Sequence, residues 1–507
     1  MTHKKIFSYT VVFVLIVVSA ILLTFRLDAL SYWGDEVGSI MYSRCGFFQM
    51  IDMLIAEDVH PPLYYMILHW WIDLWGESEF ALRFLSVIPV IISIVFVYRI
   101  GKDFFSEKVG LLSALMFVMS PEIVLFGRMV RYYTLALLFG LMATYFFFKL
   151  LKKAQWKYVF LYACSVTLLL YTTYTTVSLI IAHGCILLFW IKQERQAIFK
   201  WISAQCIAFL LYIPGTILFF MMISRMSSEN NPLSDLSAGA SGVAVKFMYS
   251  IYAFCFGETL YPWHVALVVP GCIVIFCIFM YGIRKSLAMH NKHYFFLLLQ
   301  LAIPLVFTVI LLSTVKKLSS FVSAPSRTLF VIPYFCLALA VGIEYIRDKR
   351  LKIFIILFLL SIWTVSLVNY YTYREFIMPT YLAPWKEVLH DAASDAREYD
   401  LVVGEETREL NYYYAARDYP FHFLVDEKEI TEYLLLHPEA RLYYIKTGRD
   451  QQPSGLSLQF RDWIAREYVL KRTKAYVKID DFYKKVKKLL LKRKPYAYKM
   501  ELLVYEK

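Results

Sequence analysis

The sequence predicts a polytopic α-helical membrane protein that ends in a soluble α/β domain. Hydrophobic residues make up 59% of the 507 positions and aromatic residues 18%, and the mean hydropathy is +0.53. A soluble enzyme with one large core does not have this composition. The apolar residues form long runs up to about Tyr371 and only short, strand-length runs after it. A membrane part is therefore followed by an aqueous part.

Charge and cysteine content narrow the class of protein further. The formal net charge is +13, but the basic residues lie in short loops between apolar runs and in the C-terminal tail, as membrane topology requires. We therefore expect membrane lipids and not nucleic acid as partners. The eight cysteines are scattered, most of them within apolar runs. This pattern predicts neither a disulfide framework nor a cysteine metal site.

Eleven membrane-spanning helices are expected, because a run of about 20 apolar residues is long enough to cross a bilayer. The first run extends from Phe7 to Leu23 and could be a signal peptide. We favour a retained anchor, because the run is long and Arg26 and Asp28 stand where small residues would mark a cleavage site. The other predicted spans are residues 81–100, 109–126, 132–150, 158–174, 176–191, 202–223, 262–283, 294–313, 328–346 and 352–371.

Lysine and arginine residues orient these spans. Alternate loops are basic, for example around Lys102, Lys152 and Arg350, which predicts that these loops and the N-terminus are cytoplasmic. The opposite side then holds the loop after the first span and everything after Tyr371. It also holds the segments 127–131, 225–261 and 316–327.

The composition changes near Pro379, where charged residues begin to recur every few positions. YDLVVGEE, RLYYIKTG and AYKMELLVYE are typical of strands, and WKEVLHDAASDA and KEITEYLLLH of helices. We therefore predict a membrane domain at residues 1–375, with a first outer loop at 27–80, and an extracytoplasmic α/β domain at 376–507.

The first outer loop contains the most unusual pattern in the chain. Asp35 and Glu36 are adjacent acids close to the end of the first span, and charges beside a bilayer usually face water, a cavity or a substrate. FFQMIDMLI, residues 47–55, is amphipathic and predicts a helix in the membrane interface. The sequence HPPL at 60–63 interrupts the chain before an aromatic stretch suited to headgroup depth. The loop is expected to fold back onto the membrane.

The acidic pair, the interfacial helix, HPPL and the pattern GxSExxxR at residues 76–83 occur in an order that resembles the GT-C glycosyltransferases of family 39 type. These include protein O-mannosyltransferases and lipid A aminoarabinose transferases. The resemblance implies a GT-C fold and an inverting transfer of a sugar from a polyprenyl-phosphate donor to a lipid, glycan or protein acceptor outside the cytoplasm. The chain lacks the large inserted loop of the protein O-mannosyltransferases and has a soluble tail, which favours the bacterial envelope branch and the plasma membrane.

Such a transfer needs a base for the acceptor proton, cations for the leaving phosphate and a water-poor pocket. The resemblance implies that Asp35 is the base, with Glu36 beside it. The alternative is that the two acids only mark the start of a solvated loop. A divalent cation held by Asp35 and Glu36 also stays open, although no further acidic ligands are evident. No cofactor is otherwise expected.

Candidate phosphate contacts follow from the same resemblance. It implies that Arg131 and Tyr133 contact the donor phosphate, with Arg128 close by, because arginine suits bidentate phosphate binding. The alternative is an arginine that reaches to lipid headgroups. Glu122 could pair with either arginine.

Further cations complete the predicted phosphate site. The resemblance implies a donor or acceptor contact for His60, for which a structural hydrogen bond in its turn is the alternative. It also implies a second cationic group made of Lys316, Lys317 and Arg327. The outer segments contain no glycine-rich phosphate loop, which agrees with a lipid-linked donor.

Two other classes of function compete with this interpretation. A transporter or flippase of lipid-linked sugars would show charges or broken helices at the membrane midplane in paired halves, whereas the predicted spans are nearly free of charge. A non-catalytic scaffold that displays its tail would not need Asp35 or Glu36.

Overall fold

The computed structural model describes residues 3–58, 60–188, 195–228, 239–314, 324–404, 408–415, 419–449, 457–477 and 498–507. It is mostly helical, with a five-stranded mixed sheet near the C-terminus, so the predicted fold class is confirmed. The chain divides into two compact units. The first contains residues 1–27 and 39–377, and the second contains residues 28–38 and 378–507.

The helices before the sheet domain are as follows. They are α1 (His3–Thr24), α2 (Gly34–Arg44), α3 (Phe47–Glu57), α4 (Leu63–Trp75), α5 (Glu79–Phe104), α6 (Glu107–Met119), α7 (Pro121–Phe126), α8 (Tyr133–Lys153), α9 (Trp156–Leu170), α10 (Val177–Leu188), α11 (Arg195–Leu211), α12 (Ile213–Ser228), α13 (Gly239–Phe256), α14 (Val265–Ala288), α15 (Lys292–Thr314), α16 (Ala324–Arg327), α17 (Ile332–Glu344) and α18 (Lys349–Tyr371).

Several of these helices have the length and composition of membrane spans. Among the described residues, six qualify, namely those in α1, α5, α8, α14, α15 and α18, and the bent pair α11–α12 would be a seventh. Four apolar helices are shorter, at Trp156–Leu170, Tyr174–Leu188, Val243–Phe256 and Leu329–Glu344. The chain is therefore an integral, multi-pass membrane protein.

Small residues let neighbouring membrane helices approach closely. A Cβ atom placed on Gly101 of α5 would lie 2.6 Å from the Cα of Gly110 in α6, so side chains larger than hydrogen are excluded at this crossing. Ion pairs lie at the helix ends for which the basic loops predict a cytoplasmic location. Lys149 Nζ is 2.6 Å from Asp103, and Lys352 Nζ is 2.9 Å from Glu344.

Two predicted spans are broken in the structure. The predicted helix 109–126 ends at Met119, because Ser120 precedes Pro121 and adopts an extended conformation with ψ 120°; the residue before proline disfavours helical geometry. The predicted helix 202–223 bends by 62° between α11 and α12. Pro214 lies in the first turn of α12 and lacks the backbone N–H that would continue the helical hydrogen bonds from α11.

The prediction of a loop at 225–261 is wrong, because it contains α13. Lys246 interrupts the apolar pattern, yet it is buried and donates to Leu312 O at 2.9 Å and to Ser313 Oγ at 3.3 Å near the end of α15. The turn after α13 contacts the end of α18, where Thr259 Oγ1 donates to Ser366 O at 2.7 Å. The middle of α13 thus lies beside the end of α15, and the turn after α13 lies beside the C-terminal part of α18.

The second unit contains the sheet. Its helices are α19 (Trp385–Ala393), α20 (Arg408–Ala415), α21 (Glu427–Leu436) and α22 (Leu458–Glu467), and its strands are β1 (Leu401–Gly404), β2 (His422–Leu424), β3 (Leu442–Arg449), β4 (Val469–Val477) and β5 (Tyr498–Glu506). The strand order is β2-β1-β3-β5-β4; β2, β1 and β3 are parallel, and β5 is antiparallel to β3 and β4. All five elements predicted from the tail sequence occur. The sequence analysis missed β2, α20, α22 and β4.

Candidate active site

Arg131 is the centre of a buried polar cluster in the first unit. It lies in the turn between α7 and α8 and is only 6% exposed. Nη1 donates to Ser39 Oγ at 2.9 Å, and Nη2 lies 3.4 Å from His60 Nε2. The guanidinium carbon is 5.3 Å from the ring centre of Tyr132 and 5.6 Å from that of Tyr133. Four side chains from three parts of the chain therefore fix this cation.

His60 is in contact with the cation. A guanidinium only donates hydrogen bonds, so in the 3.4 Å contact His60 Nε2 is the acceptor. The ring is buried, and its centre is 4.6 Å from that of Tyr132. The two prolines that follow end at the start of α4, where Leu63 N donates to Tyr171 O at 3.2 Å. These contacts hold the imidazole in one orientation.

Arg327 belongs to the same neighbourhood. It ends the short helix α16, and its charge acts on Tyr132, as does that of Arg131. Burial raises the pKa of the Tyr132 hydroxyl, while these two positive charges oppose the change. Nη1 of Arg327 is buried and has no hydrogen-bond partner among the described residues. A buried donor of this kind is costly unless a ligand accepts its proton.

Asp58 is a neighbour that the sequence analysis missed. It accepts a hydrogen bond from the Tyr65 hydroxyl. Burial and the Asp58 carboxylate raise the pKa of Tyr65, and Arg131 is close enough to lower it. Arg225 of α12 donates from Nη2 to the backbone oxygen of Asp58 at 3.0 Å. An acid two positions before His60 was the signal that could have identified this residue.

Asp35 and Glu36 occupy the first turn of α2, where carboxylates interact favourably with the positive end of the helix dipole. Glu36 is only 1% exposed, and its Oε2 accepts a hydrogen bond from the Trp33 backbone at 3.3 Å. This is one half of a capping box. Asp35 is partly exposed. Glu36 thus has a structural task, and Asp35 is the more accessible acid.

Helix α2 continues from this acidic turn into the first unit. Ser39 is uncharged and lies one turn after Asp35. Its hydroxyl oxygen accepts the hydrogen bond from Arg131 Nη1. Among the described residues, no group of three or more His, Cys, Asp or Glu residues could hold a metal ion.

The first outer loop has the helices that the sequence predicts. The predicted interfacial helix is α3, whose residues Met50 and Leu54 are buried while Phe48 is 81% exposed. In the GxSExxxR pattern, Gly76 ends α4 with φ +74° and the Ser78 side chain accepts from Ala81 N to cap α5. Arg83 Nη1 donates to Leu27 O at 3.0 Å. The pattern therefore organises the turns around the loop.

Arg128 has a different environment from the predicted one. Its Nη1 donates to Leu22 O at 3.0 Å and its Nη2 to Arg26 O at 2.8 Å, which satisfies carbonyl groups at the C-terminal end of α1. Its guanidinium also lies 5.2 Å from the rings of Tyr370 and Tyr371. Arg128 thus joins α1 to the end of α18.

Glu122 pairs with neither arginine in the described part of the chain. Its carboxylate is fully buried, and neither oxygen has a hydrogen-bond partner among the described residues. Its electrostatic neighbour is a second buried acid, Glu258, which the sequence analysis did not identify. Lys316 and Lys317, the other predicted cations, lie outside the described residues.

Comparison with known proteins gives these sites a context. Residues 59–222 match the family model described as dolichyl-phosphate-mannose-protein mannosyltransferase. This segment contains His60, Tyr65, Arg131 and Tyr133. No curated protein sequence matches the chain.

Two solved structures share the fold over nearly the whole chain. ArnT from Cupriavidus metallidurans bound to undecaprenyl phosphate is 11% identical, with 97% of each chain covered and a TM-score of 0.54. The same protein in the apo state is 10% identical, again with 97% of each chain covered and a TM-score of 0.54. Residues 59–222 are thus similar to the dolichyl-phosphate-mannose-protein mannosyltransferase family, and the chain as a whole shares the fold of ArnT.

Proposed function

We propose that this protein transfers a sugar from a polyprenyl-phosphate carrier to a lipid, glycan or protein acceptor, with inversion at the anomeric carbon. The reaction takes place on the extracytoplasmic side of a bacterial plasma membrane, with the N-terminus of the chain in the cytoplasm. The ArnT structure that shares this fold was solved with undecaprenyl phosphate, which supports a carrier of the same chemical class.

The buried cations carry the proposal. Nη1 of Arg327 is a buried donor with no hydrogen-bond partner among the described residues, and a phosphate oxygen is the acceptor that would satisfy it. Arg131 is close to Tyr132, the same tyrosine on which the charge of Arg327 acts. Two guanidinium groups would offset the charge that develops on the leaving phosphate, and a buried site strengthens that effect. Tyr133 and His60 orient Arg131 from two sides.

Asp35 is the proposed general base. The acceptor hydroxyl or amine attacks the anomeric carbon, its proton passes to the Asp35 carboxylate, and the bond from the anomeric carbon to the phosphate oxygen breaks. Polyprenyl phosphate leaves with the electron pair of that bond. Glu36 is assigned to the support of α2, because its side chain already accepts from Trp33 N. A single direct displacement of this kind inverts the anomeric centre.

The test uses purified protein in lipid nanodiscs with a polyprenyl-phosphate-linked sugar and cell-envelope fractions as acceptors. The measured quantity is the release of polyprenyl phosphate. Asp35→Asn keeps the shape of the side chain but cannot take up the proton, so turnover should fall by roughly 10² to 10⁴. Asp28→Asn is the matched control, because Asp28 lies in the same segment with an exposed side chain. It should keep wild-type turnover.

Three results would contradict the proposal. Full turnover in both Asp35→Asn and Glu36→Gln would remove the acidic pair from the chemistry. Movement of intact donor across the membrane without phosphate release would indicate a transporter. A wild-type protein that neither turns over nor moves the donor, with any lipid-linked sugar or envelope fraction offered, would favour the scaffold function.

A further inference from the structure

The segment that carries the acidic pair packs with the C-terminal unit. Residues 28–38 belong to the compact unit of residues 378–507, although α1 and the rest of α2, which flank them, belong to the first unit. The candidate base Asp35 is therefore part of a structure that is completed by residues more than 340 positions later in the chain.

Hydrogen bonds tie the backbone of this segment to the C-terminal residues. The Tyr413 hydroxyl in α20 accepts from Tyr32 N at 2.7 Å, and this contact is buried. Lys386 in α19 makes two more contacts. Its Nζ donates to Asp28 O at 2.7 Å, and its backbone N donates to Ser31 Oγ at 3.2 Å. The anchors thus lie three to seven residues before Asp35.

Aromatic packing and a close approach continue the same interface. The rings of Trp33 and Tyr381 meet edge to face with centres 5.0 Å apart, and Tyr32 is 5.6 Å from Tyr412 in the same geometry. Tyr32 is only 1% exposed. A Cβ atom on Gly34 would lie 3.1 Å from Glu409 Oε1, so the residue just before Asp35 leaves room for that carboxylate.

We propose that the C-terminal unit contributes to catalysis. In this proposal Tyr413 and Lys386 are positioning residues that determine the location of Asp35. This inference rests on the proposed function, in which Asp35 is the base. General-base catalysis depends on the distance to the proton that is abstracted, and a misplacement of about 1 Å costs roughly a hundredfold in rate. Tyr413 in α20 holds Tyr32 N, and α2 begins two residues later at Gly34. A shift of α20 would therefore move Asp35.

The experiment compares Tyr413→Phe with Tyr414→Phe in the full-length protein. Tyr414 lies in the same helix, and its hydroxyl donates to Phe421 O at 3.2 Å, so the control loses a similar bond that does not involve the segment 28–38. Hydrogen exchange by mass spectrometry reports on the peptide that contains Tyr32. Turnover and the KM for the lipid-linked donor report on catalysis.

Tyr413→Phe should accelerate exchange at Tyr32 and lower kcat by about tenfold or more, while the KM for the donor stays unchanged. A tenfold fall in kcat corresponds to about 1.4 kcal/mol of lost interaction. Tyr414→Phe should change neither. If Tyr413→Phe lowers the melting temperature too far for assay, Lys386→Met carries the same test, since it removes the contact with Asp28 O.

Two results would overturn the inference. Unchanged exchange at Tyr32 would mean that the contact does not hold the segment. Faster exchange with wild-type kcat would mean that the position of the segment does not matter for turnover. Failure of the proposed function is a separate result, because Asp35→Asn would then keep full turnover whatever the exchange at Tyr32 shows.

Discussion

Arg131 donates from Nη2 to Nε2 of His60 across 3.4 Å. The two guanidinium groups of Arg131 and Arg327 supply the positive charge of this cluster. His60 limits the orientations of the Arg131 side chain, which already donates to Ser39 from its other terminal nitrogen. Because the Arg131 side chain is already held in one orientation, it would lose little rotational freedom when a donor phosphate binds.

Arg131→Lys should be nearly as harmful as Arg131→Ala. A lysine keeps the charge but cannot donate in two fixed directions, to Ser39 Oγ and His60 Nε2, while it also faces a phosphate. We expect kcat/KM for the lipid-linked donor to fall at least about tenfold in both variants, since a hydrogen bond to a charged group contributes about 1.5 to 3 kcal/mol. Wild-type turnover in Arg131→Ala would make this arginine a contact to lipid headgroups.

Arg327→Ala should weaken donor use without loss of stability. Removal of a buried donor that has no partner among the described residues relieves a desolvation cost in the free protein and removes a phosphate contact in the complex. The melting temperature should stay equal or rise, and kcat/KM should fall about tenfold or more. A lowered melting temperature together with unchanged kcat/KM would assign Arg327 to the fold.

Arg128→Met should show the opposite pattern. The two terminal nitrogens of Arg128 bind Leu22 O and Arg26 O, so the variant removes both hydrogen bonds, while Leu22 O still accepts from the Tyr371 hydroxyl. A hydrogen bond to a charged group contributes about 1.5 to 3 kcal/mol, so the loss should lower the melting temperature. Turnover per folded molecule should stay within about twofold. A selective loss of donor affinity in a stable Arg128→Met protein would return this residue to the phosphate site.

The buried acid Glu258 should make stability depend on pH. Burial raises the pKa of Glu258 to about 8, although the neighbouring Tyr249 hydroxyl opposes the shift. A carboxyl group whose pKa is raised in the folded state stabilises the fold fully below its unfolded pKa of about 4.3, and this contribution is lost as the pH rises through 8. Stability should therefore fall between about pH 5 and 8.

Glu258→Gln tests this assignment, because glutamine keeps the shape of the side chain and stays neutral. Relative to wild type, its melting temperature should be higher at pH 8.5, and the difference should shrink towards pH 5. A parallel pH dependence in the two proteins would show that Glu258 is ionised in the folded state.

Reporter fusions test the orientation. We expect fusions after residues 152 and 400 to report opposite compartments, with 152 in the cytoplasm. The contacts of Lys246, in the middle of α13, with Ser313 and of Thr259, after α13, with Ser366 join this part of the chain to the C-terminal parts of α15 and α18, which the sequence predicts on one side of the membrane. Signals from one compartment for both fusions would contradict this topology.

The class of protein and most of its helices and strands can be predicted from the amino-acid sequence. Apolar runs of span length predict membrane helices because hydrocarbon excludes unpaired backbone groups, and the alternation of short apolar runs after Pro379 predicts strands. Proline and glycine also mark helix ends in the sequence, as Pro121 does after α6 and Gly76 does after α4. The edge strand β4 was missed because its exposed residues include Lys471, Arg472 and Lys474, and such charges protect a sheet edge while they hide the strand pattern.

Tertiary structure alone decided which charged residues share a site. Arg128 and Arg131 are three positions apart and look alike in sequence, yet one binds carbonyls at Leu22 and Arg26 and the other binds Ser39 and His60. Lys246 is compatible with a buried helix only because the end of α15 supplies acceptors for its ammonium group. A buried charge takes its role from partners that lie far away in the chain, and local periodicity carries no information about them.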